Sequence, residues 1–81
     1  MQTDSNKKRL SDIKIGQHAQ VHDMNVDDSV NQRLMAFGLL PGADVSVVHV
    51  APLGDPIAIS FNSQKVMIRR TDADSVEVVV G

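Results

Sequence analysis

Apolar residues along this chain recur with two different periods, and each period predicts its own kind of element. Residues 1–9 are polar, show no periodicity and carry Lys7, Lys8 and Arg9 together, which predicts a flexible tail. Leu10-Ser11-Asp12-Ile13 then reads as a short turn with Leu10 and Ile13 directed inward, and Gly16 interrupts it. Over 17–24, Ala19 and Val21 alternate with polar neighbours, the period of a first strand. The spacing then lengthens. Asp27, Asp28 and Ser29 offer N-cap oxygens and negative charge, and Val30, Leu34 and Phe37 follow at intervals of four and three, which predicts one short helix with Leu34 and Phe37 in the core. Gly38 falls where a left-handed residue closes a helix. Leu39 is placed to pack back on Leu34, and Pro41 with Gly42 turns the chain away.

The period of two returns at 44–51 and at 57–61, where Ile57, Ile59 and Phe61 share one face. These segments predict an antiparallel pair joined by Pro52-Leu53-Gly54-Asp55-Pro56, a linker whose prolines withhold N–H groups from the ladder. Asn62-Ser63-Gln64 turns the chain into 65–70, where Val66 and Ile68 alternate with Met67 and Arg69. Residues 71–75 read as a polar turn and 76–80 as the last strand. Five short strands with one helix after the first strand predict a mainly-β domain over 10–81, bent or closed into a small barrel to limit its free edges.

Composition narrows what such a domain does. A chain of 81 residues buries only about 63% of its unfolded surface, so one core is the limit. With no cysteine, neither a disulfide nor a thiolate-held metal reinforces that core. Trp and Tyr are absent and Phe37 and Phe61 are the only aromatics, which argues against an aromatic groove for proline-rich peptides and against a base-stacking surface. The net charge of -2 is not that of a phosphate-backbone binder, so no nucleic-acid partner is expected. No run of about 18 apolar residues exists and the first residues lack the apolar middle of a secretory signal, which predicts a cytoplasmic protein with no direct membrane insertion.

Candidate chemistry is sparse. His18 and His22 are four apart, but on a strand four residues span about 13 Å, too far for one ion without a bend. The metal set left to test is His22 with Asp23 or His49, for Fe(II) or another divalent transition metal; no cofactor is required. Catalysis lacks a nucleophile motif and a phosphate loop, and an Asp44–Asp55 carboxylate pair competes with a simpler use of Asp55 in bonding the N–H groups of its own turn. No enzyme is expected. Arg69 and Arg70, adjacent on a predicted strand, point to opposite faces. A partner surface is better supported: Arg33 lies off the apolar face of the helix, and Leu39, Leu40 and Leu53 sit near turns, with Leu53 at a tip stiffened by Pro52 and Pro56.

The stretches Gln32-Arg33-Leu34-Met35-Ala36-Phe37-Gly38-Leu39-Leu40-Pro41-Gly42, Val50-Ala51-Pro52-Leu53-Gly54-Asp55-Pro56-Ile57 and Ile68-Arg69-Arg70, in that order, resemble the ferrous iron transport protein A (FeoA) family. The resemblance spans about residues 10–80. It implies an SH3-like β-barrel acting as an accessory or regulatory protein of ferrous iron uptake, with the cytoplasmic GTPase domain of a FeoB-type membrane transporter as partner. The alternatives are an Fe(II)-responsive metal-binding regulator and, behind it, a nucleic-acid-binding small barrel. The same module resembles the C-terminal domain of metal-dependent repressors of the diphtheria toxin repressor type, but no helix-turn-helix precedes it in these 81 residues, so a stand-alone form is expected. The partner-binding residues proposed on these grounds are Arg33, Leu39, Leu40, Pro52, Leu53, Gly54, Asp55 and Pro56. Leu34, Phe37, Gly38, Pro41, Gly42, Ile57, Ile59, Phe61 and Ile68 are read as structural. A weak homo-oligomer is a further expectation, through 76–80 as an edge strand.

Overall fold

In the computed structural model, which describes residues 6–80, the period-two segments pair into one antiparallel sheet. Its strands are β1 (Lys7–Arg9), β2 (His18–Met24), β3 (Asp44–Val50), β4 (Ile57–Phe61), β5 (Gln64–Ile68) and β6 (Val76–Val80), in the spatial order β1-β6-β2-β3-β4-β5. A 3-10 turn (Leu10–Asp12) and two helices, α1 (Ser29–Ala36) and α2 (Arg70–Ala73), are the other elements of the described residues. The main apolar cluster joins Leu10, Val21, Leu34, Val45, Ile57, Ile59, Phe61, Ile68 and Val78, so the 3-10 turn, α1 and the sheet share one core.

The architecture departs from the expected barrel in three respects. The sheet is open, because its outer strands β1 and β5 are not paired with each other among the described residues. It is bent instead by two bulges. Val21 faces Val78 and Asp23 faces Glu77, leaving His22 as the extra residue of β2; Val47 faces Ile59 and His49 faces Ala58, leaving Val48 as the extra residue of β3. Each bulge shifts the alternation by one, which is why Val21 and Met24, three apart, are both buried. Second, the described residues form six strands, and α1 follows the second. Lys7, Lys8 and Arg9, all exposed and lacking any apolar period, pair with Val79, Val78 and Glu77. Residues 1–5 of the expected tail lie outside the described residues. Third, the polar turn expected at 71–75 overlaps α2, which begins at Arg70, is four residues long and too short to show a helical period; its Ala73 is buried against the core. β6 lies between β1 and β2, so it is not the edge strand expected for pairing between copies.

Helix α1 begins and ends as its sequence predicts. Asp28 is the N-cap, its Oδ1 accepting from the N–H groups of Val30 at 2.8 Å and Asn31 at 3.1 Å. At the other end, the Leu39 N–H donates to the Leu34 carbonyl at 2.9 Å and the Gly38 N–H to the Met35 carbonyl at 3.0 Å, with Gly38 at φ +105°: a Schellman closure. This geometry corrects one core assignment. The helix stops at Ala36, so Phe37 stays on the outer edge at 51% exposure while the left-handed Gly38 swings Leu39 into the core in its place.

Asn31, fully buried, escaped the sequence reading. Its Nδ2 donates to the Asn25 carbonyl at 3.0 Å, and the Ser75 hydroxyl lies 3.3 Å from its Oδ1, so one amide ties α1 to the segment before it and to the entry of β6. The hairpin between β4 and β5 turns on two residues, Asn62 at φ 51° and Ser63 at φ 62°, both left-handed as a primed turn requires.

Two stability outcomes follow from this packing. Leu34→Ala, at a site 2% exposed, is expected to cost about 2 to 5 kcal/mol in denaturant unfolding. Ser63→Gly is expected to stabilise by about 0.5 to 1 kcal/mol, because glycine removes the side-chain penalty of the left-handed conformation; an unchanged or lower melting temperature would contradict the turn assignment.

Candidate functional site

The loop over 52–56 leaves the sheet between β3 and β4 and carries the most exposed large apolar side chain of the described residues, Leu53 at 97%. Burying that side chain on a partner is worth about 1.5 to 3 kcal/mol, provided the loop is already ordered. Local bonding orders it. The Gly54 N–H donates to the Ala51 carbonyl at 2.7 Å across a turn with Pro52 second and Gly54 fourth, Gly54 having φ +89°. The Ala51 N–H donates to the Pro56 carbonyl at 3.0 Å and closes the base, and the Asp55-Pro56 peptide bond is cis.

Arg70 fixes this loop to the rest of the domain. Its Nε donates to the Gly54 carbonyl, one of its terminal nitrogens donates to the Ser11 carbonyl, and its backbone N–H donates to Asp55 Oδ1 at 3.0 Å. One planar guanidinium thus spans two carbonyls from segments 43 positions apart in the chain. The Ser11 hydroxyl donates to Asp74 Oδ1, which binds the 3-10 turn to the end of α2. Two sequence expectations change here. Asp55 bonds the first residue of α2 rather than N–H groups of its own turn. Arg69 and Arg70 are not on a strand: β5 ends at Ile68, Arg69 caps α2 and Arg70 opens it.

The remaining partner candidates do not converge on this tip. Leu39 is fully buried and therefore belongs to the core. Leu40, 48% exposed, precedes β3 while Leu53 follows it, so the length of the strand, about 23 Å, separates them. Pro41 and Gly42 turn the chain into β3, with Gly42 at φ +95° and its N–H donating to the Val21 carbonyl at 2.8 Å. Arg33 lies on α1 beside Phe37, lining a groove against Val66, Met67 and Ile68 of β5. Pro52, Leu53, Gly54, Asp55 and Pro56 are the candidates brought together.

Of the metal candidates, His49 lies far from His22, while Asp23 follows His22 on β2 and its Oδ1 accepts from the Met24 N–H at 2.9 Å. β2 and β3 run antiparallel with Gln20 opposite Asp44, which places His22 and His49 about seven positions apart along the ladder, or about 23 Å. The neighbour of His22 is Glu77, with Nε2 and Oε1 3.7 Å apart on the surface. No group of three His, Asp or Glu side chains suited to a metal ion occurs among the described residues.

The model of the FeoA domain matches residues 8–80. The chain belongs to the FeoA domain family. Among solved FeoA structures, that of Chlorobium tepidum is 37% identical and superposes with a TM-score of 0.83 over 90% of this chain and 70% of that one. FeoA of Stenotrophomonas maltophilia, solved with zinc and described as an SH3 domain protein, is 26% identical with a TM-score of 0.72 over 91% of this chain and 89% of that one. A fusion of Fe(2+) transport protein A with the Fe(2+) transporter FeoB, from Porphyromonas gingivalis, is 31% identical over 70 residues, which is 86% of this chain but 8% of the fusion. The fold is therefore SH3-like in its relationships, and the family is associated with ferrous iron transport. No helix of the described residues is long and apolar enough to cross a membrane.

The Arg70 anchor has a measurable consequence. Arg70→Ala is expected to destabilise the domain by about 1 to 2 kcal/mol and to speed hydrogen exchange at the Gly54 N–H, and Arg70→Lys to restore less than half of the loss, since a single ammonium does not reproduce the fork. Equal stability of all three proteins in urea titrations would show that the anchor is incidental.

Proposed function

We propose that this chain is a non-enzymatic accessory protein of ferrous iron uptake that works in the cytoplasm by docking the 52–56 tip on the GTPase part of a FeoB-type transporter. The observation that carries the reading is the Porphyromonas gingivalis relative, in which the two proteins are one polypeptide. Joining two modules in one chain raises their effective concentration, which is advantageous where they act together. The tip supplies a contact of suitable form. Leu53 is almost wholly solvated, its backbone is fixed by the turn and by Arg70, and little ordering entropy remains to be lost on binding.

The test is binding of the purified transporter GTPase domain to this protein, measured by calorimetry with and without nucleotide and Fe(II). Leu53→Ser is expected to weaken the complex at least tenfold while changing stability by less than about 0.5 kcal/mol, since the side chain touches solvent in the free protein. Undiminished binding by Leu53→Ser would remove the tip from the interface, and failure of the wild-type protein to bind in any nucleotide state would remove the partner.

A further inference from the structure

We propose that the groove between α1 and β5 is a second interaction surface, which takes an extended, acidic and apolar peptide segment of a partner protein as an added strand.

The backbone of β5 is the first reason. β5 closes one end of the strand order and has a ladder on its β4 side only among the described residues. Phe61 and Gln64 flank the two-residue turn and form its hydrogen-bonded pair. By alternation Val66 and Ile68 also bond to β4, and Lys65 and Met67 turn their N–H and C=O groups outward. Two donors and two acceptors at strand spacing therefore face away from the sheet. Their geometric complement is another extended backbone.

The side chains around that edge define the chemistry. α1 stands alongside it and encloses a groove of about 110 Å³, the space of three to four waters, lined by Val30, Leu34 and Phe37 on one wall and by Val66 and Met67 on the other. Phe37 and Met67 are 51% and 56% exposed, and the floor is apolar, so a bound segment needs an apolar side chain directed into it. Arg33 lines the groove, Arg69 lines the adjoining depression that shares Met67 and Ile68, and Lys65 stands on β5 next to Val66; all three are basic and exposed in a protein of net charge -2. None of the three side chains has an ion-pair or hydrogen-bond partner among the described residues. The one carboxylate at the far end, Asp55, is engaged by the Arg70 N–H. Three cations with no partner among the described residues, one in the apolar slot and two on and just past β5, together with the outward edge of that strand fit a segment that alternates acidic with aliphatic residues. The same cations, with Phe37 as the single aromatic beside them, are too few for a base-stacking track along single-stranded nucleic acid.

This surface is distinct from the Leu53 tip and does not rest on the transporter reading. Its test is titration of the whole protein, isotopically labelled, with an eight-residue peptide alternating Glu and Val, blocked at both ends. Three controls accompany it: the same peptide N-methylated at alternate residues, a peptide with Lys in place of Glu, and single-stranded RNA of eight nucleotides. The Glu–Val peptide is expected to shift the Lys65, Met67 and Phe37 resonances and to slow exchange of the Lys65 and Met67 N–H groups at least tenfold at saturation. N-methylation removes backbone donors without changing side chains and is expected to abolish binding. Met67→Pro, which deletes an outward N–H and spares the β4 ladder, is expected to weaken binding at least tenfold. Arg33→Glu with Lys65→Glu is expected to reverse the preference to the Lys peptide, and Leu53→Ser to change nothing. Absence of shifts at millimolar peptide, equal binding of the N-methylated peptide, or preferential binding of RNA at these residues would each overturn the proposal.

Discussion

The organisation of this domain turns on the close approach between the end of α1 and the β4–β5 hairpin at Gly38. The φ of +105° at Gly38 is a conformation that favours glycine, and a Cβ there would lie 2.3 Å from Asn62 Nδ2, so the Asn62 side chain would have to move and give up this contact. Across that contact Asn62 Nδ2 donates to the Gly38 carbonyl at 3.3 Å and Gln64 Nε2 to the Phe37 carbonyl at 2.9 Å. These carbonyls belong to the helix end, where no intrahelical donor remains, so the hairpin completes the cap that the Schellman turn begins. A helix of eight residues is not stable alone. Here its N-cap, its C-terminal closure and the burial of Leu34 and Leu39 together fix it beside β5, and the groove between helix and strand results from that fixation.

Arg70 plays the equivalent part at the opposite end of β4. The chain leaves β3 through 52–56, a segment with two prolines and one fully solvated leucine, which contributes almost nothing to the core. Such a loop holds one shape only if polar groups define it. The guanidinium on Gly54 and Ser11 and the Arg70 N–H on Asp55 supply that definition from a part of the chain remote in sequence. The two ends of β4 thus carry different devices for one purpose: a helix cap shared with a hairpin, and a loop shared with a helix start. Each holds an exposed apolar side chain, Phe37 or Leu53, in a place that packing alone would not determine.

Periodicity revealed the elements whose apolar face is long enough to repeat. The face of Ile57, Ile59 and Phe61, the Asp28 cap and the Gly38–Leu39 closure are local features, and each appears where the residues place it. What was illegible depends on distant partners or on very few residues. β1 is three charged residues whose pairing is decided by the free side of β6, and α2 is a single turn. Both bulges displace one residue without any glycine or proline to mark them, so their effect on His22 and Val48 could not be read from the alternation. The helical spacing assigned Phe37 to the core because it takes no account of the glycine that follows; the closure and the apolar stripe were competing claims on neighbouring residues, and the closure won. For the site, the stiff exposed tip was legible from two prolines flanking Leu-Gly-Asp, whereas its anchor required knowing that α2 begins at Arg70.

The two outer strands differ in a way that bears on recognition. β1 is short and carries Lys7, Lys8 and Arg9, all exposed, the form in which sheets discourage the addition of another strand. β5 is longer, has the apolar Val66 at its centre and the exposed Met67 next to it, and borders the groove that α1 lines. An SH3-like domain usually offers an aromatic groove for proline-rich peptides, and in a chain with no Trp and no Tyr that groove has no walls. Among the surface features that remain are an aliphatic tip held by an arginine and the outer backbone edge of β5. The scarcity of aromatics excludes the best-known use of the architecture and leaves the architecture itself intact, which is why function here has to be argued from those two sites and not from the fold.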